Sequence, residues 1–273
     1  MATTEGPDDL TRKQRREAAR EERKALEAAQ TAKAARQRRL LILGGALGAA
    51  VIVIVILIVV SSSGSSTSKT ETGIANNTAA TSLTKQINAL IGDVPQNDMT
   101  LGSPTAPVTL NYYGDLECPI CQEFSLDTLP AVITNLVKTG KLKITYRDLQ
   151  TATQSPTVFQ QQQVAAAAAG KQNKAWYFIE FFYHEQGKED SGYVNTAYLD
   201  KIASQVPGLN LADWQAAQND PALAAQVKSN QATAASLGFN STPTLVASGP
   251  GGQKGVVGFV PYSDIQSLVQ SVS

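Results

Sequence analysis

The sequence predicts an α/β domain with an inserted helical subdomain, preceded by one transmembrane helix. Three observations lead to this fold class. An uncharged apolar run occupies residues 40–60 of the 273-residue chain. Two β-rich segments flank a helical stretch over 106–149, which is the pattern of a βαβ unit. A helix-rich region, about 150–238, then separates this unit from two further strands and a last helix.

The apolar run, "LLILGGALGAAVIVIVILIVV", is long enough to cross a bilayer. At ~1.5 Å per residue its 21 residues reach roughly 30 Å, the hydrocarbon thickness of a membrane. A signal peptide has a shorter apolar core of about 7–15 residues, so we expect a retained anchor, with cleavage after "SSSGSS" as an open alternative. A buried core helix is the other alternative, and the absence of a polar face argues against it.

Charge on either side of this run predicts its orientation. Residues 1–39 carry 11 Lys/Arg and 7 Asp/Glu, whereas the rest of the chain carries 12 and 16. Because Lys and Arg beside a membrane helix stay in the cytoplasm, we expect a single-pass protein of the cell membrane with its C-terminal domain outside. Disulfides form and turn over in that compartment. The acidic balance of the domain argues against a nucleic-acid partner.

Composition also predicts the segments on either side of the run. Residues 1–39 read as a basic, solvated, partly helical cytoplasmic tail, the alternative being a tail that binds a cytoplasmic partner or anionic lipid. Residues 61–81 are rich in Ser, Thr, Gly and Asn and predict a flexible linker. The extracytoplasmic domain is therefore expected over 82–273, beginning with a short amphipathic helix in "SLTKQINALIG".

The βαβ unit begins with the alternating, β-rich segment "APVTLNYYG" (106–114). A helical stretch follows, in which Pro130 should kink or split the helix and Gly140 should end it. The second strand is "KLKITYRDL" (141–149). A helix of this length between two strands predicts that the strands pair in parallel.

The inserted region contains strong helix formers over roughly 156–238. Trp176, Ile179 and Phe182 share one helical face there, which predicts a core contact rather than a ligand site. The strands "TPTLVAS" and "KGVVGFV", joined by the hairpin turn "GPGG", should complete the sheet. The last helix is expected to begin with Ser263 as its N-cap.

Both cysteines of the chain, Cys118 and Cys121, lie in "DLECPICQEF". A zinc site needs about four ligands, and the chain adds a single histidine, His184, so a metal site would need carboxylates or a second copy. A structural disulfide would close a very small loop and constrain the unfolded chain little. Redox chemistry fits best, because a cysteine at a helix start forms a thiolate readily and a second thiol one turn later can resolve a mixed disulfide.

Several segments together resemble a known family. These are "GSPTAPVTLNYYGDLECPICQEF", "AAAAAGKQNKAWYF", "LGFNSTPTLV" and "VVGFV", within 96–273. They resemble membrane-anchored, DsbA-like thiol:disulfide oxidoreductases of the thioredoxin superfamily. The resemblance implies a thioredoxin-like fold with a helical insertion after the second strand of the βαβ unit.

The resemblance also implies roles for individual residues. Cys118 becomes the exposed nucleophile and Cys121 the buried resolving thiol. Pro243 becomes a cis-proline facing them, and Thr242 presents backbone groups to the substrate. The redox-active disulfide is then the whole of the catalytic equipment, with no cofactor and no metal.

The function implied is an extracytoplasmic thiol–disulfide oxidoreductase that introduces disulfides into exported proteins with free thiols. The resemblance implies reoxidation by a membrane quinone-linked oxidase of the DsbB or vitamin K epoxide reductase type. Three alternatives stay open. They are a reductase or isomerase of the same fold, a tethered chaperone-like binding module, and an accessory metal carrier.

The residues around Cys118 differ from those of the strongest oxidases of the family. Those enzymes have Pro-His between the cysteines, whereas this chain has Pro119 and Ile120. Ile120 carries no charge and donates no side-chain hydrogen bond, while Glu117 and Asp115, expected as solvated loop acids, should oppose a thiolate. The sequence therefore predicts a weaker oxidant than a Cys-Pro-His-Cys enzyme.

The residue six positions before Cys118 is a second difference. Many thioredoxin-like proteins have a buried acid there, and this chain has Tyr112. Proton transfer to the resolving thiol is then expected to use water or another group.

Overall fold

The computed structural model describes residues 71–273, with side chains from residue 81 onward. The tail predicted for 1–39, the transmembrane helix predicted for 40–60 and the first half of the predicted linker lie outside the described residues. Within the described part, no helix is both long enough and apolar enough to span a membrane. Helix α1 covers Glu71–Ile91, so the second half of the predicted linker is helical.

The apolar face of helix α1 packs on the folded domain as predicted. Ile87 and Ile91 are buried, and Leu83 and Leu90 are partly buried against the core. A short hairpin that the sequence analysis did not predict follows, formed by strands β1 (Gln96–Asn97) and β2 (Thr100–Leu101). Two-residue strands are too short to show an alternating pattern in a sequence.

The predicted βαβ unit is present. Strand β3 covers Val108–Gly114, strand β4 covers Leu142–Asp148, and the two pair in parallel. The intervening helix is split into α2 (Pro119–Glu123) and α3 (Leu129–Val132). A π-helical turn follows each part, at 124–128 and 133–137.

The interruptions in this helix agree with the sequence prediction. Pro130 lies in the first turn of α3, directly after the first π-helical turn. A proline has no N–H to donate to the preceding turn, so a helix is commonly interrupted there. Gly140 has a φ of 72°, the left-handed conformation that commonly ends helices.

Five helices form the insertion between strands β4 and β5, which confirms the predicted architecture. They are α4 (Pro156–Gly170), α5 (Ala175–His184), α6 (Thr196–Gln205), α7 (Leu211–Ala217) and α8 (Pro221–Ser236). Trp176, Ile179 and Phe182 on α5 are fully buried, as predicted. Every residue of α5 from Ala175 to Tyr183 is buried, so the helix is enclosed on all sides rather than on one face.

Strands β5 (Thr244–Gly249) and β6 (Gly252–Val257) form the predicted hairpin. Among the described residues the sheet has six strands in the order β1-β2-β4-β3-β5-β6, and only β3 and β4 run in parallel. This order places β3, which leads into the cysteine pair, at the centre of the sheet.

The last helix, α9, covers Tyr262–Gln270, and the predicted cap at Ser263 is wrong. The cap position is Pro261, with extended backbone angles of φ −70° and ψ 164°. The helix therefore begins before Ser263, whose hydroxyl donates to Asp264 Oδ1 at 3.1 Å. A proline's fixed φ suits the position in front of a helix, which explains why the helix begins two residues early.

Candidate active site

The cysteine pair lies where the central strand gives way to a helix. Strand β3 ends at Gly114, and Cys118 is the N-cap residue of α2, with Pro119 in the first turn. The Cys118 sulfur accepts the backbone N–H of Cys121 at 3.4 Å. The local sequence favours this geometry, because a proline at the first helical position has no N–H that needs a partner.

Both thiols are free, and both lie below the surface. Cys118 is 5% exposed and Cys121 is 0% exposed. The expectation of an exposed Cys118 is therefore wrong, although its side chain is more exposed than that of Cys121. The segment before the last hairpin covers it, and its Sγ donates to the Thr242 carbonyl oxygen at 3.5 Å.

The two thiols differ strongly in acidity. The pKa of Cys118 is lowered to about 6, chiefly by a hydrogen bond from the Cys121 thiol. Burial works against this shift, while the Thr242 hydroxyl and the backbone N–H groups of Cys121 and Ile120 add to it. The pKa of Cys121 is raised well above its ordinary value, first by burial and then by the neighbouring Cys118. At neutral pH Cys118 is therefore mostly ionised, and its thiolate no longer donates to the Thr242 carbonyl, whereas Cys121 remains a thiol.

The Thr242–Pro243 peptide bond is cis, and both residues are buried beside the cysteines. The Pro243 carbonyl accepts the Gly258 N–H at 2.7 Å, which ties it to the end of strand β6. The structure thus brings together Cys118, Cys121, Thr242 and Pro243, as the family resemblance implied.

The two acids before Cys118 are not solvated, which corrects the sequence-based expectation. Asp115 is 0% and Glu117 is 2% exposed. Glu117 accepts the backbone N–H of Asp190 at 3.3 Å, and burial raises the pKa of its carboxyl group. Asp115 accepts hydrogen bonds from six protein groups. Their burial depends on the inserted region folding over them, which a linear sequence does not show.

Tyr112 occupies the position where related folds have a buried acid. It is fully buried, and its hydroxyl contacts Ser125 at 3.4 Å, the Cys121 carbonyl at 3.4 Å and the Tyr183 hydroxyl at 3.3 Å. Tyr183 also lies 3.4 Å from the Tyr146 hydroxyl. Burial is the main cause that raises the pKa of all three tyrosines well above their ordinary values. The side chains beneath Cys121 therefore form a cluster of neutral tyrosine hydroxyls. The sequence did not predict this cluster, because the three tyrosines are distant from one another in the chain.

Replacing Tyr112 with Phe should leave the pH dependence of the redox reaction unchanged. The tyrosine hydroxyls stay protonated across the working pH range, so they do not contribute an ionisation to the profile. The lost hydrogen bonds should cost about 1 kcal/mol of folding stability. The measurement is the rate of thiol exchange between pH 5 and 9. A new or missing inflection in the Tyr112→Phe profile would show that this hydroxyl does take part in proton transfer.

The inserted region forms hydrogen bonds with the backbone of the cysteine motif. Gln186, just beyond α5, donates from Nε2 to the carbonyls of Leu116 at 2.6 Å and Cys118 at 3.2 Å. In the opposite direction, Gln122 of α2 donates to the Tyr183 carbonyl at 2.8 Å. These contacts fix the helix start against α5, and no motif in the sequence predicted them.

Across residues 81–273, no three or more His, Cys, Asp or Glu side chains are arranged to hold a metal ion. His184 is partly buried at the end of α5, where burial lowers its pKa.

Comparisons with known proteins match this architecture. A family model described as thioredoxin matches residues 95–254, which include both cysteines and Pro243. Disulfide bond formation protein D of Bacillus subtilis is 20% identical over 197 residues, which cover 68% of this chain and 83% of the relative.

Solved structures show the same fold. The oxidised form of BdbD from Bacillus subtilis superposes with a TM-score of 0.56 at 19% identity, covering 65% of this chain and 97% of its own. A thioredoxin-like oxidoreductase from Silicibacter pomeroyi DSS-3 superposes with a TM-score of 0.51 at 27% identity, covering 67% of this chain and 95% of its own.

Proposed function

The chain belongs to the thioredoxin family and is a DsbA-like thiol–disulfide oxidoreductase, and from this premise we propose that it oxidises the thiols of exported proteins. The observation that carries the proposal is the unequal pair, with Cys118 lowered in pKa to about 6 and Cys121 buried with a raised pKa. Such a pair has one sulfur suited to exchange and one suited to resolve it.

The proposed reaction moves two electrons from two substrate thiols to the Cys118–Cys121 disulfide. A substrate thiolate attacks the Cys118 sulfur, the disulfide breaks, and the Cys121 sulfur leaves and takes up a proton. A second substrate thiolate then attacks the substrate sulfur of the mixed disulfide, and Cys118 leaves as a thiolate. The products are an oxidised substrate and a reduced enzyme.

The acidity of Cys118 favours the oxidising direction. A stabilised thiolate lowers the energy of the reduced enzyme and makes its disulfide a stronger oxidant. A pKa of about 6 lies between those of thioredoxin, about 7, and the strong oxidant DsbA, about 3.5. We therefore propose an oxidase weaker than the Cys-Pro-His-Cys enzymes.

Exposed apolar side chains near the pair suit an unfolded substrate. Ile120 beside the cysteines is 42% exposed, and Val257 and Phe259 are 61% and 39% exposed. Val257 pairs with Thr244, the residue after Pro243, so the end of strand β6 lies beside the Thr242–Pro243 segment. An extended chain with apolar residues next to its cysteine is the substrate that such a surface would take.

We also propose a membrane-anchored enzyme whose catalytic domain faces the outside of the cell. The apolar run at 40–60 and the basic residues before it support this location. Reoxidation then falls to a membrane quinone-linked oxidase of the DsbB or vitamin K epoxide reductase type. The substrates are exported proteins that carry free thiols.

The reduction potential of the cysteine pair tests the proposed function. The full chain is equilibrated with glutathione buffers, and the fraction of disulfide is measured by alkylation and mass. A value on the oxidising side of about −200 mV supports an oxidase, whereas one near roughly −270 mV indicates a reductase. A pair without reversible exchange would contradict an oxidoreductase altogether and favour a client-binding or metal-carrying protein.

Replacing Ile120 with His should raise the reduction potential. An imidazolium beside Cys118 adds positive charge and a hydrogen-bond donor, both of which stabilise the thiolate. Ile120 is 42% exposed, so the substitution should not disturb the core. The same glutathione titration measures the effect, with neutral Ile120→Gln as the control. If Ile120→His shows no rise over Ile120→Gln, the dipeptide does not set the potential here.

A further inference from the structure

The Asp115 carboxylate holds one loop of the inserted region. Its Oδ2 accepts the backbone N–H groups of Thr151, Ala152 and Thr153 at 3.0, 2.9 and 2.9 Å. Its Oδ1 accepts the Thr153 hydroxyl at 2.6 Å. The side chain is fully buried, so these charge-assisted bonds act away from water. The three consecutive N–H groups fix the position of the loop relative to the start of α2.

Two more donors complete the shell of this carboxylate. Oδ1 accepts the Glu117 N–H at 3.1 Å and the Gln162 Nε2 of helix α4 at 3.2 Å. Gln162 also donates to the Thr153 hydroxyl at 2.8 Å, so Thr153 and Gln162 support each other around Asp115. The segment that carries Cys118 and the insertion are therefore joined through one side chain.

The loop held by Asp115 reaches the residue before Pro243. The Thr151 hydroxyl is hydrogen-bonded to the Thr242 hydroxyl. Thr242 in turn lies against the nucleophile, since its carbonyl oxygen is 3.5 Å from the Cys118 sulfur. Its hydroxyl is among the donors that lower the pKa of Cys118. A continuous line of contacts thus runs from Asp115 through Thr151 and Thr242 to Cys118.

A hydroxyl has one proton to donate and can accept from another donor. If Thr151 donates to Thr242, the single Thr242 proton is left for a further acceptor, and the nearby acceptor that gains charge on reduction is the Cys118 sulfur. Successive hydrogen bonds of this kind polarise and strengthen one another. A disulfide sulfur is uncharged and a weak acceptor, so the chain favours the reduced state.

We propose that Asp115 and Thr151 are positioning residues for the redox reaction: Asp115 fixes the 151–153 loop so that Thr151 directs the Thr242 hydroxyl proton to the Cys118 thiolate. This inference rests on the proposed function, because it assigns a tuning device to the same cysteine pair. Its consequence is that part of the oxidising strength comes from outside the Cys-Pro-Ile-Cys motif.

The test compares Thr151→Val and Thr151→Ser in the full chain. Thr151 is itself exposed, and both variants keep the backbone N–H that Asp115 binds, so neither should disturb the fold. Thr151→Val should raise the pKa of Cys118 and lower its equilibrium constant for oxidising glutathione about threefold to tenfold, at roughly 30 mV per tenfold change. Thr151→Ser, which keeps the hydroxyl, should stay near the wild-type value.

Asp115→Asn provides a second test, because the two possible roles of Asp115 change the pKa of Cys118 in opposite directions. If Asp115 were only a nearby negative charge, its removal would lower the pKa of Cys118. If Asp115 anchors the loop, the amide cannot replace all of the accepted bonds, and the pKa rises as in Thr151→Val. The thiolate absorbance against pH measures both variants. In the double variant the two effects should not add, because both act through the same contact.

Several outcomes would overturn the inference. One is a Thr151→Val chain whose Cys118 pKa and glutathione equilibrium match those of the wild type. Another is a Thr151→Ser chain that behaves like Thr151→Val. If the wild-type chain exchanges normally and a Thr151 variant gives either of these results, this inference fails and the proposed function stands. A wild-type chain with no reversible exchange contradicts the proposed function, and this inference with it.

Discussion

A Cys118→Ser chain should not react with oxidised glutathione, whereas a Cys121→Ser chain should accumulate a stable mixed disulfide on Cys118. With a pKa of about 6, Cys118 is roughly nine-tenths thiolate at pH 7. Cys121 is fully buried, and its raised pKa leaves almost no thiolate at that pH. We expect the rates of the two single-cysteine chains to differ by at least about 100-fold, measured by the intact mass of each chain over time.

The pH dependence of this reaction gives a sharper version of the same experiment. In Cys121→Ser the rate should rise through a midpoint near 6, because the serine hydroxyl can replace the donor that contributes most to the low pKa of Cys118. In Cys121→Ala no side-chain donor remains, so the midpoint should move to higher pH. Equal rates for Cys118→Ser and Cys121→Ser would contradict the assigned order of nucleophile and resolving thiol. A midpoint that Cys121→Ala leaves in place would contradict the Cys121 thiol as the main cause of the low pKa of Cys118.

The stability of the domain should fall as pH rises from about 4.5 to 8, and replacing Glu180 with Gln should remove much of that fall. Glu180 of helix α5 is 1% exposed, and neither carboxylate oxygen has a hydrogen-bond partner within the described residues. Burial raises its pKa to about 8 from a usual value of 4.5. The folded state therefore keeps the proton over a range of pH in which the unfolded chain has already lost it.

The direction of this effect follows from proton linkage. Below pH ~4.5 both states are protonated and Glu180 has no effect on folding. As pH rises to about 8 the unfolded state gains the free energy of ionisation and the folded state does not, at a cost of roughly 3–5 kcal/mol for a shift of this size. Asp148, whose pKa burial raises from 3.8 to about 6, adds a smaller loss at lower pH.

Urea unfolding at several pH values, with the cysteine pair oxidised so that neither thiol titrates, measures the effect. The difference between the wild-type and Glu180→Gln curves isolates Glu180 from Asp148 and the other groups. The exposed Glu123 offers a matched control, since Glu123→Gln should leave the curve close to that of the wild type. Parallel curves for wild type and Glu180→Gln would mean that Glu180 is not held protonated in the folded domain.

The sequence predicted the parts of the fold that local patterns encode. Alternating apolar residues located strands β3 and β4, and Pro130 and Gly140 marked the interruption and the end of the helix between them. The cysteine spacing and "STPT" identified the site residues that the fold brings together. Each of these signals lies within a few consecutive residues, where the chemistry of the backbone determines the structure.

The sequence did not predict features that depend on distant contacts. Asp115 looked like a loop acid, and its burial follows from donors at 151–153 and Gln162, which lie more than 30 residues away. The hydroxyl cluster beneath Cys121 likewise draws Tyr112, Tyr146 and Tyr183 from three separate elements. No local pattern distinguishes such a tyrosine from an ordinary core residue.

The contacts of Asp115 have a consequence for how this domain can be re-engineered. A shortened chain with strand β4 joined directly to β5 would lack Thr151, Thr153 and Gln162, and would leave a buried carboxylate with few donors beside the cysteines. The insertion is therefore not a removable module. Chimeras between relatives should exchange the cysteine motif together with the segment 151–186, because hydrogen bonds of Asp115 and Gln186 join the two.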